Sequence, residues 1–232
     1  MSSQVSQLRS VLRFSLQMFS VIMLVTPVHA EEPKLKPGWQ GPQFMMRTNA
    51  WVPYESNHDE PRAQIQAGLV LWHEEASRNI AMAALGSRFR LWDHHSAIIA
   101  QVGFATNWFE NQGDAGLLNL EAELTLVPKW LTFTGEVKTF LGTNHRPEVL
   151  GWQSLDVWWT KFFNTGLHSE QIQSRTLLFG TNIGVVSPHH EWGLELQYLD
   201  GKINEVKGRT FRLVLNCDID ISRVRGGHFW PF

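Results

Sequence analysis

Between Leu117 and Gly142 the chain reads "LLNLEAELTLVPKWLTFTGEVKTFLG", and this alternation constrains the fold more than any other feature. Leu118, Leu120, Ala122, Leu124 and Leu126 share one parity, and Asn119, Glu121, Glu123 and Thr125 the other. After a short corner the pattern resumes, with Leu131, Phe133, Val137 and Leu141 set against Thr132, Thr134, Glu136 and Lys138. A strand sends successive side chains to opposite faces, so a period of two predicts a β-hairpin with one apolar and one polar face. Alternation does not say which face is inside. An apolar face turned inward makes a soluble β-protein, and the reverse makes a barrel standing in lipid.

The first thirty residues read as a secretory leader rather than as part of the fold. Arg9 and Arg13 precede the apolar run "FSLQMFSVIMLVTPV", and Val28 and Ala30 supply the small residues before a cleavage point. Cleavage leaves 202 of the 232 residues, suited to one domain, and removing the two arginines moves the formal net charge from −2 to −4. No basic run suggests a nucleic-acid partner. Cys217 is the only cysteine, so no internal disulfide can form. No later segment has the length of a transmembrane helix, so any insertion into a bilayer must be by strands.

Residues 31–43 carry three prolines and read as an extended lead-in to a single domain over 44–232. Nearly everything beyond alternates. Candidate strands cover 44–53, 64–73, 79–92, 97–109, 117–127, 130–141, 151–163, 175–186, 191–199 and 209–221, divided by turn signals such as "ENQGDAG" and "DGKINEVKG". Two segments have a second reading. Residues 79–92 are a strand interrupted at Gly86 or a short helix followed by a strand. Residues 147–166 are a strand or a helix, since Trp152, Leu155, Trp159 and Phe162 have helical spacing. The expectation is an all-β, antiparallel up-and-down barrel of eight to ten strands.

Three features turn the apolar face outward. Most candidate strands have at least the nine residues that a tilted strand needs to cross hydrocarbon. Six of the eleven tryptophans stand at strand ends, Trp51, Trp72, Trp92, Trp108, Trp130 and Trp192, where an aromatic girdle would meet the lipid–water boundary. Charged side chains lie mid-strand on the polar parity: Glu121, Glu123, Glu136, Lys138, Glu195 and Arg212 are assigned to a charged lumen, in which acids and bases pair where water is scarce.

The final alternating stretch "TFRLVLNCDIDI" and the terminal Phe232 resemble bacterial outer-membrane β-barrel proteins, whose last strand commonly ends in a phenylalanine, although "RVRGGHFW" and Pro231 stand between the two. The resemblance implies a transmembrane barrel in a Gram-negative outer membrane, with membrane lipids and the barrel assembly machinery as partners. The corresponding function is a structural or envelope-interaction barrel, or a narrow pore with a charged lumen. The alternative is a soluble periplasmic, lipocalin-like barrel holding an apolar ligand. A third reading is a lipid A-modifying enzyme, for which His168 and Ser169 in the "NTGLHSEQIQS" segment are the motivating neighbours. No catalytic residue is assigned. His58 beside Asp59, His94-His95 and His189-His190 fall in expected turns, and without HExxH or CxxC spacing neither a metal nor a cofactor is implied.

Overall fold

The computed structural model describes residues 39–53, 63–74, 78–91, 96–109, 113–142, 146–172, 176–188, 191–203 and 206–220. The leader, Trp92, the three histidine-containing turns and Phe232 lie outside them. Eleven strands account for almost all of the described chain: β1 (Trp39–Pro53), β2 (Ala63–Glu74), β3 (Arg78–Arg90), β4 (Ala97–Phe109), β5 (Gly113–Val127), β6 (Leu131–Leu141), β7 (Glu148–Thr160), β8 (Phe163–Ile172), β9 (Thr176–Val186), β10 (Trp192–Ile203) and β11 (Val206–Asp220). Each pairs with its sequence neighbour, and β1 pairs with β11 to close a barrel. Closure leaves no strand edge bare.

The fold corrects two expectations. The barrel has eleven strands, not eight to ten, and it is not antiparallel throughout. An odd number of strands leaves the first and last running the same way, so the seam is parallel, with Met45 opposite Val214 and Asn49 opposite Asp218. The additional strand is β8, a segment that reads as a loop in the sequence. It is reached through a two-residue turn at Lys161 and Phe162, flanked by the pair Thr160 and Phe163. No glycine, proline, asparagine or aspartate marks that turn; the Thr160 hydroxyl accepts the Phe162 N–H at 3.1 Å instead. β1 opens at Trp39 rather than Phe44 and takes in the end of the expected lead-in. Both ambiguous segments are extended: residues 78–90 form β3 past Gly86, and residues 148–160 form β7.

The β5–β6 hairpin shows how the sequence builds the wall. Leu120 stands opposite Val137, Glu121 opposite Glu136, and Leu124 opposite Phe133. Lys129 takes a positive φ of 66° and the Trp130 N–H bonds the Val127 carbonyl at 3.0 Å, which closes the corner. Leu120 is 56 % exposed and Glu121 6 %, so the apolar parity faces away from the barrel axis and the acidic parity toward it. The remaining strands follow the same rule. Val102, Phe104, Leu167, Phe179, Ile183 and Leu196 are exposed on the outer surface, while Gln64, Gln101, Asn119, Lys138, Glu170 and Arg212 are buried inside. Inward glycines let the wall bend tightly; a Cβ on Gly180 would overlap the Tyr198 carbonyl oxygen of β10.

The two rims differ in which chain end they carry. At the N-terminal rim β1 begins and the β10–β11 hairpin turns. At the C-terminal rim β11 ends and the β5–β6 corner turns.

Candidate functional site

The interior divides into two halves. Toward the N-terminal rim it is filled by Met45, Trp72, Ile80, Met82, Ala105, Trp108, Ala115, Leu117, Phe140, Leu150 and Val214. Trp108 and Phe140 stack face to face with ring centroids 3.5 Å apart, and the Trp108 indole N–H reaches Glu148 at 3.2 Å. Toward the C-terminal rim lies a cavity of about 510 Å³, lined by β1 and by β5 to β11. Its wall carries Glu121, Glu123, Glu136, Asp156, Glu195 and Asp218 with Arg47.

One cation spans the lumen from wall to wall. Arg47 on β1 reaches Glu136 at 3.3 Å and Glu121 at 3.7 Å on the opposite wall, and its guanidinium sits 4.5 Å from the Trp152 ring. Glu121 and Glu136 are direct cross-strand partners, an unfavourable pairing of like charges that the cation between them offsets. Lys138 also pairs with Glu136. Arg88 holds Glu123 through two bonds of 3.2 and 2.5 Å, a bidentate fork that favours arginine over lysine. Beyond the cavity, toward the N-terminal rim, Arg212, 1 % exposed, donates to Glu170 at 2.7 Å, to Gln43 at 2.8 Å and to Gln197 at 3.3 Å. Its guanidinium lies 4.9 Å from the Trp72 ring, joining the polar half to the apolar filling.

All six charged residues assigned to the lumen from the sequence face the interior: Glu121, Glu136, Lys138 and Arg212 are buried, and Glu123 and Glu195 line the cavity. Glu195 and Arg212 do not pair with one another. The residue opposite Arg212 on β10 is Gln197, and Glu195 accepts from that glutamine at 2.9 Å. Three cavity carboxylates are met by neutral donors: Glu195 by Gln197, Asp218 by Asn49 at 3.2 Å, and Asp156 by Asn182 at 2.7 Å and Ser154 at 2.9 Å. Arg47, Asp156 and Glu170 escape the sequence reading, although each has the inward parity of its strand.

The girdle expectation needs correction at three tryptophans. Trp72 and Trp108, 4 % and 5 % exposed, belong to the interior filling, and Trp51 points inward with Arg88 5.2 Å from its ring. Trp72 shares the parity of Gln64 and Gln66, which are buried inside. Trp108 is turned inward by a bulge in β4, where Asn107 has a φ of 55° and the register with β5 shifts after Ala105. Trp130 and Trp192 are exposed at the C-terminal rim, and Trp159, outside the six strand-end tryptophans, is exposed beside them at the β7–β8 turn.

His168 and Ser169 are adjacent residues of a strand, so they point to opposite faces. His168 is buried inside, where its Nδ1 accepts the Trp152 indole N–H at 2.8 Å. Ser169 bonds Gln153 at 3.2 Å on the outer side. Ser154 stands opposite His168 inside the barrel, but its hydroxyl donates to Asp156. Among these residues no serine–histidine hydrogen bond exists to activate a nucleophile. Among the described residues no set of three His, Cys, Asp or Glu side chains converges as a metal site. No family model, curated protein or solved structure matches the chain.

Proposed function

We propose that this protein is an exported transmembrane β-barrel of a bacterial outer membrane, with a plugged interior and a structural or envelope-interaction role. One observation carries the reading: the segregation of charge between the two faces of the wall. Along the strands the outward parity carries Asp114, Asp200, Lys202, Lys207 and Arg209 as its charged residues, all near the N-terminal rim, whereas the inward parity carries charge along most of the barrel. Between the rims the outer surface is mostly leucine, isoleucine, valine and phenylalanine, interrupted by neutral polar residues such as the Gln153–Ser169 pair of β7 and β8. Monomers in water rarely expose an apolar patch beyond a few hundred square ångströms. Hydrocarbon reverses that penalty, and a closed barrel satisfies its backbone internally.

The polar cavity weighs against a soluble carrier of an apolar ligand, which needs an apolar chamber. The odd strand count departs from the even number of single-chain bacterial barrels. The reading therefore rests on the two faces rather than on the count. The apolar filling favours a plug over an open pore, since small barrels fill with side chains.

Expression of the full chain followed by fractionation tests the proposal. The expected result is a membrane-bound protein released by detergent, whose folded form migrates faster in unheated gels. Release by osmotic shock alone would favour the soluble carrier. Leu120→Arg should lose about 2–4 kcal/mol of unfolding free energy in lipid vesicles, the cost of a cation at the bilayer midplane. An unaffected variant would remove the lipid-facing assignment of that face. Planar-bilayer recordings should show no stable conductance from the wild type.

A further inference from the structure

Charge returns to the outer surface at one place on the last hairpin. Outward residues of β10 run Trp192, Leu194, Leu196 and Tyr198, and then Asp200 and Lys202; those of β11 run Lys207 and Arg209, and then apolar from Phe211 to Ile219. Lys202 and Lys207 are direct cross-strand partners, and both are exposed. Like charges facing one another on a ladder repel, and among the described residues neither lysine has a counter-ion. Arg209, the next cation along the strand, pairs with Asp200 at 3.6 Å, its own side chain about half exposed and that of Asp200 about a third. Among the described residues three cations and one carboxylate thus share one small area of the outer wall.

Their height on the wall gives the patch a meaning. The apolar outward run of β11 from Phe211 to Ile219 is about 26 Å long at ~3.3 Å per residue. A strand tilt of about 40° reduces this to roughly 20 Å along the axis, most of the apolar band of a membrane barrel, which is about 25 Å tall. The cations stand immediately beyond its edge, at the level of lipid headgroups. Next to them, on the apolar side, Tyr198 and Phe211 pair with ring centroids 5.1 Å apart, an apolar seat whose phenol belongs at a lipid–water boundary.

We propose that Lys202, Lys207 and Arg209 bind the phosphate of an anionic membrane lipid, with its acyl chains lying over Tyr198 and Phe211. The inference rests on the membrane reading and adds a partner to it. A phosphate placed between the two lysines turns their repulsion into attraction, and Arg209 offers a planar fork to its oxygens. A headgroup without net negative charge gains much less from the patch.

The test uses the purified full chain in dodecyl maltoside, with native mass spectrometry after addition of phosphatidylglycerol, phosphatidylcholine or inorganic phosphate. Wild type should retain phosphatidylglycerol in preference to phosphatidylcholine. The Lys202→Ala/Lys207→Ala variant should bind it about thirtyfold more weakly, at roughly a fivefold loss per basic residue. The Lys202→Arg/Lys207→Arg variant should bind as wild type does. Heat-modifiable migration reports that each variant still forms the barrel. Equal phosphatidylglycerol retention by a folded alanine variant would overturn the site while leaving the membrane reading intact. Complete displacement of the lipid by equimolar inorganic phosphate would overturn the lipid assignment in favour of a free-phosphate site. Failure of the membrane reading shows separately, as a chain that stays in solution without detergent.

Discussion

The two halves of the barrel interior are built by the same strands and hold opposite contents. Near the N-terminal rim Trp72, Trp108, Leu117 and Phe140 pack into one buried apolar cluster. Near the C-terminal rim Arg47, Glu121, Glu136 and Asp218 surround an open cavity. Large aromatic and aliphatic side chains can close a lumen of this width without partners. Charged ones must be held by opposite charges or left wet. The junction is Arg212, whose bonds to Gln43, Glu170 and Gln197 let a buried cation sit against Trp72. The difference teaches that polarity inside this barrel is tolerated in proportion to what pairs it, and substitutions in each half can break that proportion.

The largest effect is expected at the junction. Arg212→Met leaves Glu170 buried without its cation and should cost about 3–5 kcal/mol, read by denaturant unfolding in vesicles. Recovery on adding Glu170→Leu would confirm that an orphaned charge is the cause, and no recovery would assign the loss to packing. Next comes Phe140→Ala, which removes the stacking partner of Trp108. A loss of about 3 kcal/mol is expected, at the low end for an aromatic truncation because Met45 and Met82 lie in the same cluster and can shift. If the filling is the plug, Trp108→Ala/Phe140→Ala should also produce stepwise conductance where wild type has none.

In the wet half the effects shrink. Arg47→Met leaves Glu121 and Glu136 facing one another and should cost about 2 kcal/mol, the scale of a lost charge-assisted hydrogen bond. Adding Glu121→Gln should restore part of it, and a strictly additive double variant would mean that the three side chains are not coupled. The smallest change is expected for Asp218→Asn, whose cavity-facing carboxylate is met by the neutral Asn49 amide. A shift within about 1 kcal/mol fits that arrangement. A shift as large as that of Arg212→Met would erase the distinction between the two halves.

Much of the wall is legible in the sequence alone. In β5 and β6 parity places Glu121, Glu136 and Lys138 on one face and Leu120 and Val137 on the other, and the mid-strand charges assign the first face to the lumen, where the structure has it. Trp72 is legible too, because its parity matches Gln64 and Gln66, but its position at a strand end draws it into the expected girdle. Trp108 is not: the bulge at Asn107 inverts the parity of the residues beyond it, and asparagine in a strand does not by itself announce a positive φ. β8 escapes notice because the Lys161–Phe162 turn uses a threonine hydroxyl in place of a turn residue.

The sequence by itself determined a wall with one apolar and one charged face, because alternation is local and each residue's face depends on its neighbour's. Only the tertiary structure decided the closure and its consequences. Eleven strands require a parallel β1–β11 seam, which puts residue 39 and residue 220 at opposite rims. Closure also brings Arg47 across the lumen to Glu121 and Glu136, and Arg212 across to Glu170. Those partners are joined by the curvature of the whole sheet, a property that no short window of residues contains.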